Sequence, residues 1–286
     1  MLGQELVSEF EINGYDVVAW DKEEIDITDK EQVNKKISAL QPEIIINAAA
    51  YNAVDKIEQG EKELAERVNG YAVRNLAEAA RRVDATLVHY STDYVFDGEK
   101  IEGYKENDEP KPQSVYAHSK WLGEQMLVNY ESGVGVQGLK FYLIRTSRLF
   151  GKPAKSEGAK KGFVDIMLRL ADEKKELELV DEELSSPTCA VDLARRTREI
   201  IEWQKPFSIY HVTNSGACTW CGWAKKIFEL SGKSVKMIRV GADKFPRPAK
   251  RPKYSVLLNT KLPPMRSWES ALEEYLNLTE DNTNGH

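Results

Sequence analysis

Ile44-Ile45-Ile46 is an unbroken β-branched run, flanked by Glu43 and Asn47 and followed by three alanines. Such a run has no polar face, so it suits a short strand covered on both sides, as strands of parallel sheets are. Similar short runs alternate with helical patterns through the first half of the chain. Asp16–Trp20 is a strand candidate, Glu31–Leu40 a short helix and Glu43–Asn47 the next strand. Glu61–Val83 carries Ala65, Val68, Ala72, Leu76 and Ala79 at three- and four-residue steps, which predicts a long amphipathic helix. Thr86–Tyr90 and Phe141–Arg145 are further strand candidates, with a helix over Ser119–Tyr130 between them. The alternation predicts an α/β fold in which βαβ units build a doubly wound, Rossmann-type parallel sheet.

A doubly wound sheet ordinarily opens with a strand, a glycine-rich turn and a helix whose N-terminus receives a pyrophosphate. Here Met1-Leu2-Gly3-Gln4-Glu5 already has helical character, so the first strand is expected to be truncated, with Gly3 as the last glycine of the turn. After Phe150 the pattern changes. Gly151–Gly162 is a basic loop, suited to solvent exposure, whose lysines could also meet a diphosphate. Helices are expected at Phe163–Asp172, Ala190–Trp203, Cys221–Leu230 and Trp268–Leu276. Three prolines make Lys244–Tyr254 extended or turning. The expected division is a dinucleotide-binding domain over 1–150, with 185–215 returning to it. A smaller α/β substrate domain covers 151–184 and 216–278, and 279–286 forms a disordered tail.

Net charge is −6, from 40 basic and 46 acidic residues, which argues against a nucleic-acid partner. No apolar run approaches the roughly 20 residues that span a bilayer, and the first ten residues carry no signal-peptide pattern. A cytoplasmic protein, monomeric or homodimeric, is the expectation. The three cysteines, Cys189, Cys218 and Cys221, suit a reducing compartment. Cys218 and Cys221 have redox-pair spacing, but nothing nearby completes a metal site, so they are expected to be incidental thiols near a helix start.

Chemistry concentrates where strands end. Ser91-Thr92-Asp93-Tyr94 follows a strand, and Tyr116 precedes Lys120 by four residues at a helix start. Four-residue spacing puts both side chains on one helix face. A phenol titrates at about 10, and an ammonium beside it would favour phenolate and lower that value. Lys120 could also hold ribose hydroxyls, while Thr92 could grip a carbonyl oxygen that becomes an alkoxide. Asn47-Ala48-Ala49-Ala50-Tyr51 either lets a ligand approach the backbone or packs a helix tightly on the sheet. Asp21, with Asp26 and Ile27 behind it, could accept hydrogen bonds from an adenosine ribose and would disfavour a 2′-phosphate, or could serve its own turn.

These residues resemble the extended short-chain dehydrogenase/reductases and, within them, the dTDP-4-dehydrorhamnose reductase family. The similarity runs through Asn47–Asp55, His89–Gly98, Val115–Lys120, Leu122–Glu124, Arg145–Ser147, Ser186–Thr188, Tyr210–Gly216 and Arg247–Leu257. It implies NADPH or NADH as cofactor and reduction of the 4-keto group of a sugar nucleotide. By position, Tyr116 would be the general acid, Lys120 would tune it and bind the nicotinamide ribose, and Thr92 would polarise the keto oxygen. Gly3, Asp21, Asp26, Ile27, Ala48, Ala49, Ala50, Tyr51 and Ser91 would complete the cofactor side. Asp93, Tyr94, Val95, Phe96, Arg148, Thr188, Arg247 and Arg251 would meet the substrate, the last two at its diphosphate. Some relatives use Mg²⁺ at a subunit contact, but no motif in this sequence carries a metal site over.

The sequence departs from the family in two places besides its start. Arg148 stands where a Trp usually follows Arg-Thr-Ser. Glu183-Leu184-Ser185-Ser186 replaces the usual lead-in to Pro187-Thr188. Tyr94 occupies the position where a dehydratase would carry an acid, which disfavours dehydration. An epimerase, or a non-catalytic cofactor-binding subunit like the beta subunit of methionine adenosyltransferase, are the alternatives.

Overall fold

A computed structural model describes residues 1–128, 136–153 and 162–283. Its central sheet has four strands in the order β1-β2-β3-β7: β1 Ile44–Asn47, β2 Thr86–Thr92, β3 Lys140–Thr146 and β7 Ser208–His211. All three pairings are parallel, as the apolar runs predict. Neighbouring residues on β2 belong to different cores. Leu87 packs with Val33, Ile37, Leu76 and Leu143, while Val88 packs with Leu6, Phe10, Ile144 and Leu193. Side chains alternate across a strand, so the sheet is covered on both faces.

One face carries α2 (Lys30–Leu40), α5 (Ala72–Arg82) and α6 (Val115–Val128). The other carries α1 (Leu2–Ile12) and α8 (Ala190–Glu202). Short helices α3 (Val54–Glu58) and α4 (Lys62–Ala65) lie between β1 and α5. A third core is built from α7 (Phe163–Glu173), α9 (Trp220–Leu230) and α10 (Trp268–Thr283). Beside it lie the parallel pairs β4 (Leu149–Phe150) with β6 (Thr188–Cys189), and β5 (Glu176–Val180) with β8 (Lys236–Val240). Among the described residues no helix is long and apolar enough to cross a membrane.

Four expectations change. Asp16–Trp20 is not a strand, because none of the described residues forms a ladder with it. It keeps strand-like alternation: Tyr15 and Val17 pack on one core while Val18 is exposed. The long helix over 61–83 is broken by a π-helical turn at Glu66–Tyr71, where Asn69 and Gly70 are buried against α6. Strand β2 runs two residues past Tyr90, so Ser91 and Thr92 belong to the ladder. The last helix continues beyond Leu276 to Thr283. Most of the basic loop, residues 154–161, lies outside the described residues, as do 284–286 and the last two residues of the helix expected to reach Tyr130.

Candidate active site

The carboxyl end of β2 and the first turns of α6 build the site. Thr92 ends the strand and caps a single 3-10 turn, Asp93–Val95, its Oγ1 accepting from Tyr94 N at 3.2 Å. Ser114 starts α6 by accepting from Ala117 N through its hydroxyl at 3.3 Å. Tyr116 therefore falls in the first turn and Lys120 one turn on. The Tyr116 ring is edge-on to Tyr94, centroids 6.0 Å apart. Its Oη donates to Asn52 Oδ1 at 3.3 Å, and the nearby Thr92 hydroxyl favours the ionised form of the phenol.

Burial outweighs that contact and pushes the Tyr116 phenol well above its ordinary value. Lys120 does not offset this: its Nζ donates to Tyr90 O at 2.7 Å. Burial lowers the ammonium to about 8, against a smaller opposing field from Glu124. The expected acidification of Tyr116 by Lys120 is thus reversed. The ligand-free site holds a protonated phenol, the form a proton donor needs.

The residues after Thr92 separate. Asp93 is buried, and its carboxylate accepts from Thr92 Oγ1 at 3.1 Å, Ser185 Oγ at 3.0 Å and Ser255 Oγ at 2.5 Å. Val95 and Phe96 are fully enclosed in a small core with Tyr104 and Leu257, so they do not line a ligand cleft as expected. Phe96 stacks on Tyr104 at 4.2 Å and lies under the Arg145 guanidinium at 5.1 Å. Arg145 pairs in turn with buried Glu124 at 2.6 Å. The 3-10 turn reverses the chain, which leaves Tyr94 beside the phenol and turns Val95 and Phe96 into packing residues.

After β1, Ala48 and Ala49 are exposed. Exposure decides between the two roles open to these alanines: they are not helix–sheet packing. Asn47 holds their backbone, its Oδ1 accepting from Ala49 N at 3.1 Å. Tyr51 is fixed by Asn69, which accepts from Tyr51 N at 2.8 Å and donates to Tyr51 O at 2.9 Å and Ser119 Oγ at 3.0 Å. Asn52 and Asn69 are site residues that sequence reasoning missed. The signal for Asn69 was an amide on the apolar face of a helical pattern. The Ser91 hydroxyl, at the neighbouring strand end, is buried without a partner. Small exposed residues beside an orphaned hydroxyl fit a nicotinamide dinucleotide lying across the strand ends. Gly3 sits in the first turn of α1, with open space where a side chain would stand. Asp21 is exposed and accepts from Glu23 N at 3.4 Å. Asp26 accepts from Thr28 N and Oγ1, which hold its carboxyl below the usual range. Ile27 O accepts from Asn75 Nδ2 at 3.1 Å.

On the substrate side, the Arg148 donors go to protein. Its guanidinium bonds Cys218 O at 2.7 Å and Glu183 O at 2.8 Å and stacks over Trp220 at 4.1 Å. Thr188 is buried with an unpartnered Oγ1. Arg247 pairs with Glu183, and Arg251 with Asp55. All three cysteines are free and buried, and burial pushes Cys218 up to about 12.

The chain matches the RmlD substrate binding domain over residues 1–280. It is 35% identical to a spore coat polysaccharide biosynthesis protein, SpsK, of Bacillus subtilis, over 96% of this chain and 93% of that one. It is also 35% identical to a dTDP-4-dehydrorhamnose reductase of Streptomyces griseus, over 96% and 89% of the two chains. A crystal structure of the reductase from Bacillus anthracis in complex with NADP superposes with a TM-score of 0.88 at 36% identity, covering 97% of this chain and 95% of that one. A UDP-glucose 4-epimerase of Thermus thermophilus shares the fold, with a TM-score of 0.77 at 22% identity. With its parallel Rossmann-type sheet and a match along nearly its whole length, this chain belongs to the RmlD substrate binding domain family.

Proposed function

We propose that this protein is a cytoplasmic NADPH-dependent oxidoreductase that reduces the 4-keto group of dTDP-4-dehydrorhamnose to give dTDP-L-rhamnose. The observation that carries the reading is the meeting of Thr92, Tyr94 and Asn52 around the protonated Tyr116 phenol, one helical turn from a buried lysine. Bound NADPH would supply the hydride. Ala48–Tyr51, Ser91 and Lys120 would hold it against the strand ends. Tyr116 donates its proton to the sugar oxygen as negative charge develops there. Thr92, whose hydroxyl donates to Asp93 in the free protein, turns to the same oxygen and polarises it. Lys120 supports the transient phenolate. Similarity to reductases along almost the entire chain favours net reduction over epimerisation.

The test is NADPH oxidation with the keto sugar nucleotide. Tyr116→Phe should lower turnover by roughly 10²- to 10⁴-fold, the usual contribution of a general acid. Turnover at the wild-type rate in that variant would end the assignment.

A further inference from the structure

A cleft of about 260 Å³ is lined by Arg247, Lys250, Arg251 and Lys253 together with Glu182 and Glu183. Four cations face two carboxylates, which favours a ligand of more than one negative charge. Arg251 bonds Asp55, three residues after the Asn52 that accepts from the Tyr116 phenol, so the cleft adjoins the site. Yet both guanidiniums are already occupied. Arg251 is bidentate to Asp55, with N–H donors 2.5 and 2.8 Å from the two carboxylate oxygens. Arg247 is paired with Glu183 through the same kind of fork. The lysines hold neutral groups instead: Lys250 donates to Gln113 Oε1 at 3.2 Å, and Lys253 lies over the Tyr254 ring at 5.6 Å.

A carboxylate offers a guanidinium the same planar pair of acceptors that a phosphate does. We infer that Glu183 and Asp55 are internal competitors for this cleft, their carboxylates occupying the Arg247 and Arg251 forks until a nucleoside diphosphate exchanges with them. The inference rests on the reductase reading only for the choice of a nucleoside diphosphate. Neither carboxylate is abandoned by the exchange. Glu183 keeps the Trp220 indole N–H, 2.8 Å from its Oε2, and Asp55 keeps Ala249 N at 3.2 Å. Asp55 sits on α3, four residues after Tyr51, so the exchange also releases a tie between the cofactor side and the cleft. Affinity for the diphosphate is therefore set by a difference between two sets of charge-assisted bonds, and removing a competitor should raise it.

Calorimetric titration of the whole chain with dTDP, and separately with inorganic pyrophosphate, tests this. Glu183→Gln should bind both probes roughly tenfold more tightly than wild type, and Asp55→Asn should shift in the same direction. Ligand-free melting temperatures of both variants should fall, which would separate tighter binding from a general gain in stability. Weaker or unchanged binding in both variants would overturn the proposal and make the carboxylates supports for the arginines. Failure of every form to bind either probe would overturn it too. The titration needs no turnover, so absence of NADPH oxidation in the wild type would count against the reductase reading alone.

Discussion

Ser255 Oγ lies 2.5 Å from Asp93 Oδ2, both residues buried and 162 positions apart in the chain. Asp93 directly follows Thr92, so this bond joins the end of β2 to the segment that carries Arg247 and Arg251. A buried carboxylate needs its acceptor sites filled, and here three hydroxyls fill them. Ser255→Ala should cost roughly 1–3 kcal/mol in urea unfolding, the penalty for a buried group left short of a partner. A change below 0.5 kcal/mol, about the size of an ordinary surface substitution, would show that Asp93 does not depend on this donor.

Lys120 predicts a conflict between stability and function. Its folded value, about 8, lies below the 10.5 of a free lysine. Between those values the unfolded chain binds more protons, so wild-type stability rises with pH across that window. The cost of the buried charge is complete below about pH 8. Lys120→Met should therefore be more stable at pH 7 by roughly 1–2 kcal/mol, even after losing the bond to Tyr90 O, while turnover collapses. The stability gain should shrink towards pH 10. A methionine variant less stable than wild type at pH 7 would contradict this account.

The same group sets an alkaline limit on activity. kcat/KM reports ionisations of the free protein, and the Lys120 ammonium is lost as pH rises through about 8. Tyr116 stays protonated throughout that range because burial raises it. The expected profile is a plateau near pH 7 that declines on the alkaline side with a midpoint near the Lys120 value. A rate that stays level from pH 7 to 9.5 would remove Lys120 from the chemistry.

Gly123 predicts a packing effect on the cofactor side. A Cβ there would stand 2.2 Å from Asn69 O, backbone that cannot easily yield. Gly123→Ala should destabilise by roughly 1–3 kcal/mol, as overpacking does. It should also raise the KM for NADPH by displacing Asn69 from Tyr51. An unchanged melting temperature together with an unchanged KM would disprove the link.

The parallel sheet, the helix that presents Tyr116 and Lys120, and the cluster at the end of β2 were legible in the sequence, because each leaves a local record. A strand covered on both faces spells itself as Ile44-Ile45-Ile46, and a helix face as a three- and four-residue rhythm. Tertiary structure decided what each side chain spends its polar groups on. Val95 and Phe96 sit in the same motif as Tyr94, yet a 3-10 turn and Tyr104 take them into a core. Arg148 turns its donors to backbone oxygens 35 and 70 residues away. The phenol of Tyr116 is raised rather than lowered because enclosure by distant segments outweighs the Thr92 hydroxyl, while the lysine four residues along turns its ammonium to Tyr90 O. Periodicity records which face of an element is buried. It carries no record of which remote group arrives there, and that arrival sets charge, protonation and access in the site.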